Sequence, residues 1–124
     1  MYKLSDIRDI HLEISSLCNA RCPLCPRNFH GYPYNDGYIE RNLTLDDVEK
    51  IFKPTFLSHI DSMEINGNFG DFVMNPESID IVRYFNEYNI DIQISTNASA
   101  RPKNFWKELG ELGCKVLFRL DGLE

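Results

Sequence analysis

The sequence has no apolar run approaching the ~20 residues that a bilayer-spanning helix needs, which excludes a transmembrane helix. Its first 20 residues contain Asp6, Asp9 and Glu13 and lack an apolar h-region, so no secretory signal is read there. Basic charge is scarce: 13 Lys and Arg stand against 19 Asp and Glu, a net charge of −6. That balance disfavours a nucleic-acid partner, because little here would neutralise a run of phosphates. Internal repeats, low-complexity tracts and linkers are also missing, which excludes solenoids and tails. What remains, 124 residues with 43% hydrophobic and 26% charged, is the balance of one globular domain at most.

Cysteine is limited to four residues, and their distribution is uneven. Without a secretory signal the expected compartment is a reducing cytoplasm, where clustered cysteines bind metal more often than they pair. Cys18, Cys22 and Cys25 fall within eight residues, whereas Cys114 is remote.

Strands and helices alternate along the chain. Asp9–Ser15 alternates Ile10, Leu12 and Ile14 with polar residues, a period of two that predicts a first strand. The stretch Ser16 to Asn42, rich in Cys, Pro, Gly, Asn and Tyr, is expected to be a long functional loop. Thr44 caps a helix through a Thr-x-x-Asp box with Asp47, its inner stripe being Leu45, Val48, Ile51 and Phe52, and Pro54 ends or kinks it. Ser62–Asn66 is a second strand, closed by the turn Gly67–Asp71. Asn75 is expected to cap the next helix with Pro76 at its first position and Ile79, Val82 and Phe85 inside. Ile90–Thr96 is a third strand, a helix follows Arg101–Pro102 as far as Gly113, and Lys115–Asp121 is a fourth strand. The order β-α-β-α-β-α-β calls for an α/β fold with a parallel sheet and right-handed crossovers.

Parallel strands covered on both faces normally read as continuous apolar runs. Here one face would carry His11, Glu13, Ser15, Glu64, Asn66, Asp91, Gln93, Ser95, Lys115, Arg119 and Asp121, too many polar groups for a helix layer to cover. A curved, barrel-like sheet with outer helices and a hydrated concave face is expected; the alternative is an open sheet with one solvent-facing side.

Cys18-Asn-Ala-Arg-Cys22-Pro-Leu-Cys25 spaces three sulfurs as C-x3-C-x2-C directly after a strand. Iron–sulfur clusters and structural zinc sites both normally take four protein ligands. Three local sulfurs leave one coordination position open, unless Cys114 or a histidine fills it. A Cys3His zinc site completed by His30 is one alternative. Cys114, at the start of an apolar strand, reads more simply as a core residue, and Tyr32, Tyr34 and Tyr38 either roof the cysteine loop or pack it down.

This spacing at the end of the first strand resembles the radical S-adenosylmethionine (SAM) superfamily. Three further segments are similar to that family's motifs. Asn66-Gly-Asn-Phe-Gly-Asp-Phe72 resembles the Gly-Asn-x-Gly-Asp-Pro variant of the SAM-binding turn, with Phe72 for proline. Ser95-Thr-Asn-Ala-Ser99 is similar to Ser-Thr-Asn-Gly, and Phe118-Arg-Leu-Asp-Gly122 to Ser-Leu-Asp-Gly. The aromatic residue usual before the third cysteine is Leu24 here.

The resemblance implies that residues 1–124 are the N-terminal portion of a radical SAM core, a partial (β/α) barrel of four parallel strands with outer helices, incomplete relative to a (β/α)6 core. It implies a [4Fe–4S] cluster on Cys18, Cys22 and Cys25, with SAM on the open iron. Reductive cleavage of SAM would then give a 5′-deoxyadenosyl radical that abstracts hydrogen from a substrate. Gly67, Asn68, Gly70 and Asp71 would present backbone groups to SAM, and Asn97 and Arg119 would meet its ribose or carboxylate. Implied partners are a one-electron reductant such as flavodoxin or ferredoxin and the missing C-terminal half. The competing expectations are a truncated, non-catalytic cluster-binding remnant and a small zinc-stabilised binding module.

Overall fold

The computed structural model describes residues 1–29, 32–33 and 39–119. Four strands form a parallel sheet in the order β1 (Asp9–Leu12), β4 (Ser62–Ile65), β5 (Asp91–Thr96), β6 (Lys115–Phe118). Helices α1 (Leu45–Ile51) and α2 (Pro54–Leu57) connect β1 to β4, α3 (Ser78–Asn86) connects β4 to β5, and α4 (Lys103–Glu111) connects β5 to β6. Within the cysteine-rich stretch, read as loop throughout, Asn28–Phe29 (β2) and Tyr32–Pro33 (β3) pair antiparallel. His30, Tyr34, Tyr38 and the Leu120–Asp121 end of the last predicted strand lie outside the described residues.

The register explains the alternation. Ile10, Met63 and Ile92 form one row across the sheet, and Leu12, Ile65, Ile94 and Val116 another. Both rows join the core cluster with Val48, Leu57, Ile81, Val82, Phe85, Phe105 and Leu109 from the helices. Between them runs a row of the opposite parity, His11, Glu64, Gln93 and Lys115, none of which is buried. One sheet face is therefore sealed by the helices and the other is polar. Full burial of Phe85, edge-on to Phe52 at 5.4 Å, contributes on the order of 2 kcal/mol.

Two boundaries differ from those the sequence predicts. The first strand stops at Leu12, because Ile14 and Ser16 are taken up by the segment before α1: Leu43 N–H donates to Ile14 O at 2.9 Å and Ser16 N–H to Arg41 O at 2.8 Å. The capping box at Thr44 forms as expected, with Asp47 N–H on its hydroxyl and Thr44 N–H on the Asp47 carboxylate. Asn75 does not cap α3; it closes a 3-10 turn (Phe72–Met74), and the helix begins at Ser78. The Asn75 side chain is instead fully buried, donating to Ile14 O (2.7 Å) and Leu43 O (2.8 Å) and accepting from Glu77 N–H (2.9 Å). It ties β1, the start of α1 and the approach to α3 together. Asn75→Ala removes three buried hydrogen bonds and is expected to cost about 2–4 kcal/mol, read as a lower urea midpoint with an unchanged slope.

Candidate functional site

The parallel arrangement brings the C-terminal ends of all four strands to one edge of the sheet, where crevices form in open α/β folds. The cysteine loop leaves β1 there. Its path is fixed by local bonds: Cys25 N–H to Cys22 O (3.1 Å), Asn28 N–H to Cys25 O (2.9 Å), and the Arg27 guanidinium to Cys18 O (2.5 Å). Arg27 also pairs with Glu40.

A cavity of about 140 Å³ opens beside this loop. Cys18, Cys22 and Cys25 line one side, and residues 66–71 a second. Ser95, Thr96 and Asn97 from the end of β5, with Arg119 just past β6, line the rest. Every residue predicted for the cluster and for SAM contact thus borders a single cavity. A larger space of about 420 Å³ lies on the other side of the β1 end, along Glu13, Ser16, Arg41 and Asp47, and contains no cysteine.

The turn after β4 is packed against the exit of β1. A Cβ on Gly67 would stand 2.1 Å from Gly70 O, and one on Gly70 would stand 1.9 Å from Ser15 O. These glycines are required first by the close approach of the chain to itself. Asn68 donates from Nδ2 to Glu13 at 2.8 Å, and the Cys25 thiol points at Asn68 O at 3.9 Å.

Asp71 is a buried junction that the sequence does not reveal as such. Its N–H donates to Leu17 O (2.8 Å), and its carboxylate accepts from Val73 N–H (3.0 Å), the Thr96 hydroxyl (2.5 Å) and Asn97 N–H (2.7 Å). It holds the glycine turn, the cysteine loop and the end of β5 in one register. Arg101 was also not anticipated: it donates to Val73 O and Asn75 O, both at 2.7 Å, and stacks over Phe105.

Beyond β5, Asn97 donates to Cys18 Sγ (3.6 Å) and Asn19 Oδ1 (3.1 Å). Ala98 adopts φ +60°, the left-handed region where the resembled motif carries glycine. Ala98→Gly is therefore expected to raise stability by up to about 1 kcal/mol, visible as a higher thermal midpoint.

Among the described residues the four cysteines stand as thiols, none in a disulfide. As placed, no three Cys, His, Asp or Glu side chains among the described residues converge on a common metal position. Two observations nevertheless fit a cluster with a bound small molecule. Three half-buried thiols share one cavity wall, and Ser95 Oγ, in a residue 5% exposed, lines the same cavity without a hydrogen-bond partner. Cys114 stays apart; burial pushes its thiol up to about 11, so it is neutral at ordinary pH and a poor ligand.

No family model matches the chain. Over 112 residues, 88% of its length, the chain is 30% identical to a tungsten-containing aldehyde ferredoxin oxidoreductase cofactor-modifying protein of Pyrococcus furiosus, covering 29% of that protein. Among solved structures it is similar to HydG, a maturase of the [FeFe]-hydrogenase, with a TM-score of 0.51 at 16% identity, over 90% of this chain and 26% of that one. The chain spans less than a third of either relative. No helix among the described residues is long and apolar enough to cross a membrane. The chain is an α/β unit of four parallel strands, similar in sequence to part of a cofactor-modifying protein and in fold to part of a hydrogenase maturase.

Proposed function

We propose that this chain is the cluster-binding portion of a radical SAM domain, holding a [4Fe–4S] cluster on Cys18, Cys22 and Cys25 with SAM beside it. The observation that carries the reading is the shared cavity: three thiols, the glycine turn and the ends of β5 and β6 meet around it, although they are far apart in sequence. When bound, cluster and SAM supply reductive cleavage of the sulfonium to a 5′-deoxyadenosyl radical. The chain's own part is to bind, orient and exclude water.

The three thiolates anchor iron and leave one coordination position without a protein ligand. The turn from Gly67 to Asp71 offers backbone groups to the amino acid end of SAM, its shape held by Asp71 and by contact with Ser15. Ser95 Oγ and the Arg119 guanidinium are the polar side chains on the cavity wall suited to the ribose and the carboxylate. Electrons come from a one-electron carrier of the flavodoxin or ferredoxin type. The likeness to a cofactor-modifying protein supports a cofactor as the class of substrate.

The test is anaerobic reconstitution with iron and sulfide, then reduction in the presence of SAM. The reading predicts 5′-deoxyadenosine that depends on reductant and on all three cysteines. Intact SAM in the presence of an assembled, reducible cluster would leave a non-catalytic cluster-binding protein in its place.

A further inference from the structure

We infer that Asn97 acts on the Cys18 sulfur, as a positioning residue that sets the electron affinity of the cluster, and makes no contact with SAM; this rests on the cluster reading above. A carboxamide has two N–H donors and one oxygen with two acceptor sites. In Asn97 all four are in use. Nδ2 donates to Cys18 Sγ at 3.6 Å and to Asn19 Oδ1 at 3.1 Å, while Oδ1 accepts from Ser99 N–H at 3.0 Å and from the Ser99 hydroxyl at 2.6 Å. The orientation of the amide is fixed by chemistry: a backbone N–H can only donate, so the atom facing Ser99 is the oxygen and the amino group faces the sulfur. Nothing remains on this side chain for a ribose or a carboxylate.

The amide is held from several sides. Asn97 N–H is anchored on Asp71 Oδ2 at 2.7 Å, and Asn19 is itself bound to the Ser99 hydroxyl at 2.7 Å. This clasp joins the residue after Cys18 to the loop after β5, 80 positions away in sequence. Cys18 Sγ also accepts from Ala20 N–H at 3.4 Å, whereas the Cys25 thiol is directed at a carbonyl.

A thiol that releases its proton to solvent and binds iron as a thiolate would be an acceptor alone, so the two N–H groups aimed at Cys18 would bond more strongly on cluster assembly. Reduction places more negative charge on the cluster and its thiolates, and a fixed N–H dipole stabilises that state. Asn97 therefore makes the cluster easier to reduce.

The experiment is a redox titration of the reconstituted protein without SAM, followed by electron paramagnetic resonance, comparing the parent with N97A, N97D and S99A. N97A removes the donor, and N97D keeps an oxygen for Ser99 while turning a carboxylate oxygen toward the sulfur. S99A leaves both donors on Cys18 in place. Expected is an oxidised-to-reduced ratio at fixed potential raised about three- to tenfold in N97A, more in N97D and unchanged in S99A; tenfold corresponds to about 59 mV for one electron. A parental potential in N97A and N97D, with weakened SAM binding, would overturn the inference and return Asn97 to the SAM site. Failure of both Asn97 variants to assemble a cluster that S99A assembles would overturn it in favour of a purely structural clasp. Absence of any cluster in the parent protein would remove the cluster reading itself, and this inference with it.

Discussion

Serine in place of Cys18, Cys22 or Cys25 is expected to lower iron bound after reconstitution by about tenfold or more and to remove the visible absorbance, while Cys114→Ser keeps both. Three thiolates are fewer than the usual four protein ligands, so the loss of one leaves two anchors for the whole cluster. Among the described residues no fourth thiol borders the cavity. Cys114 precedes β6 and does not border the cavity, and its thiol is held protonated by burial. The check is iron and sulfide analysis beside the absorption spectrum for each variant. Retention of iron by any of the three single variants would show that the set C-x3-C-x2-C does not form the site.

Gly70→Ala is expected to cost about 3 kcal/mol and to prevent stable cluster assembly. The added Cβ would lie 1.9 Å from Ser15 O, 2.5 Å from Ser15 C and 2.8 Å from Ser16 Cα, all backbone atoms. Those atoms cannot easily retreat, since Ser16 N–H is bonded to Arg41 O, Leu43 N–H to Ile14 O, and Asp71 N–H to Leu17 O. Overpacking against a fixed backbone is among the larger single-residue effects. The damage would reach the site directly, because Gly70 precedes the Asp71 junction and borders the same cavity as the thiols. Thermal and urea unfolding of the variant measure it; a parental midpoint would mean that the turn does not rest on Ser15.

How much of this was legible in the sequence depends on the range of the interactions. The capping box at Thr44 and the inner rows of the sheet follow from local rules, hydroxyl to N–H three residues on and alternation at period two, and both formed as read. The polar sheet face was legible for the same reason. The curvature expected of a partial barrel is a property of strand tilt across the whole sheet, which four residues of β1 or β6 do not encode. Asn75 was misread because Asn followed by Pro76 is a strong local helix signal, while its actual partners, Ile14 and Leu43, are 61 and 32 positions away. Motif position points to backbone groups of Asp71 and to Asn97 as SAM contacts. What the motif could not show is that the Asp71 carboxylate is spent on Val73 N–H, the Thr96 hydroxyl and Asn97 N–H, and the Asn97 amide on Cys18, Asn19 and Ser99. The cysteine spacing announced a site; the clasp that orients its first sulfur is visible only in three dimensions.

We propose above that the three clustered cysteines hold iron and sulfide. Metal and sulfide analysis of the anaerobically reconstituted protein, read together with its absorption spectrum, tests it most directly. Expected are about four iron and about four sulfide per chain, with a visible band that bleaches on reduction. A colourless protein carrying about one zinc per chain, lost together with the fold on chelation, would contradict it.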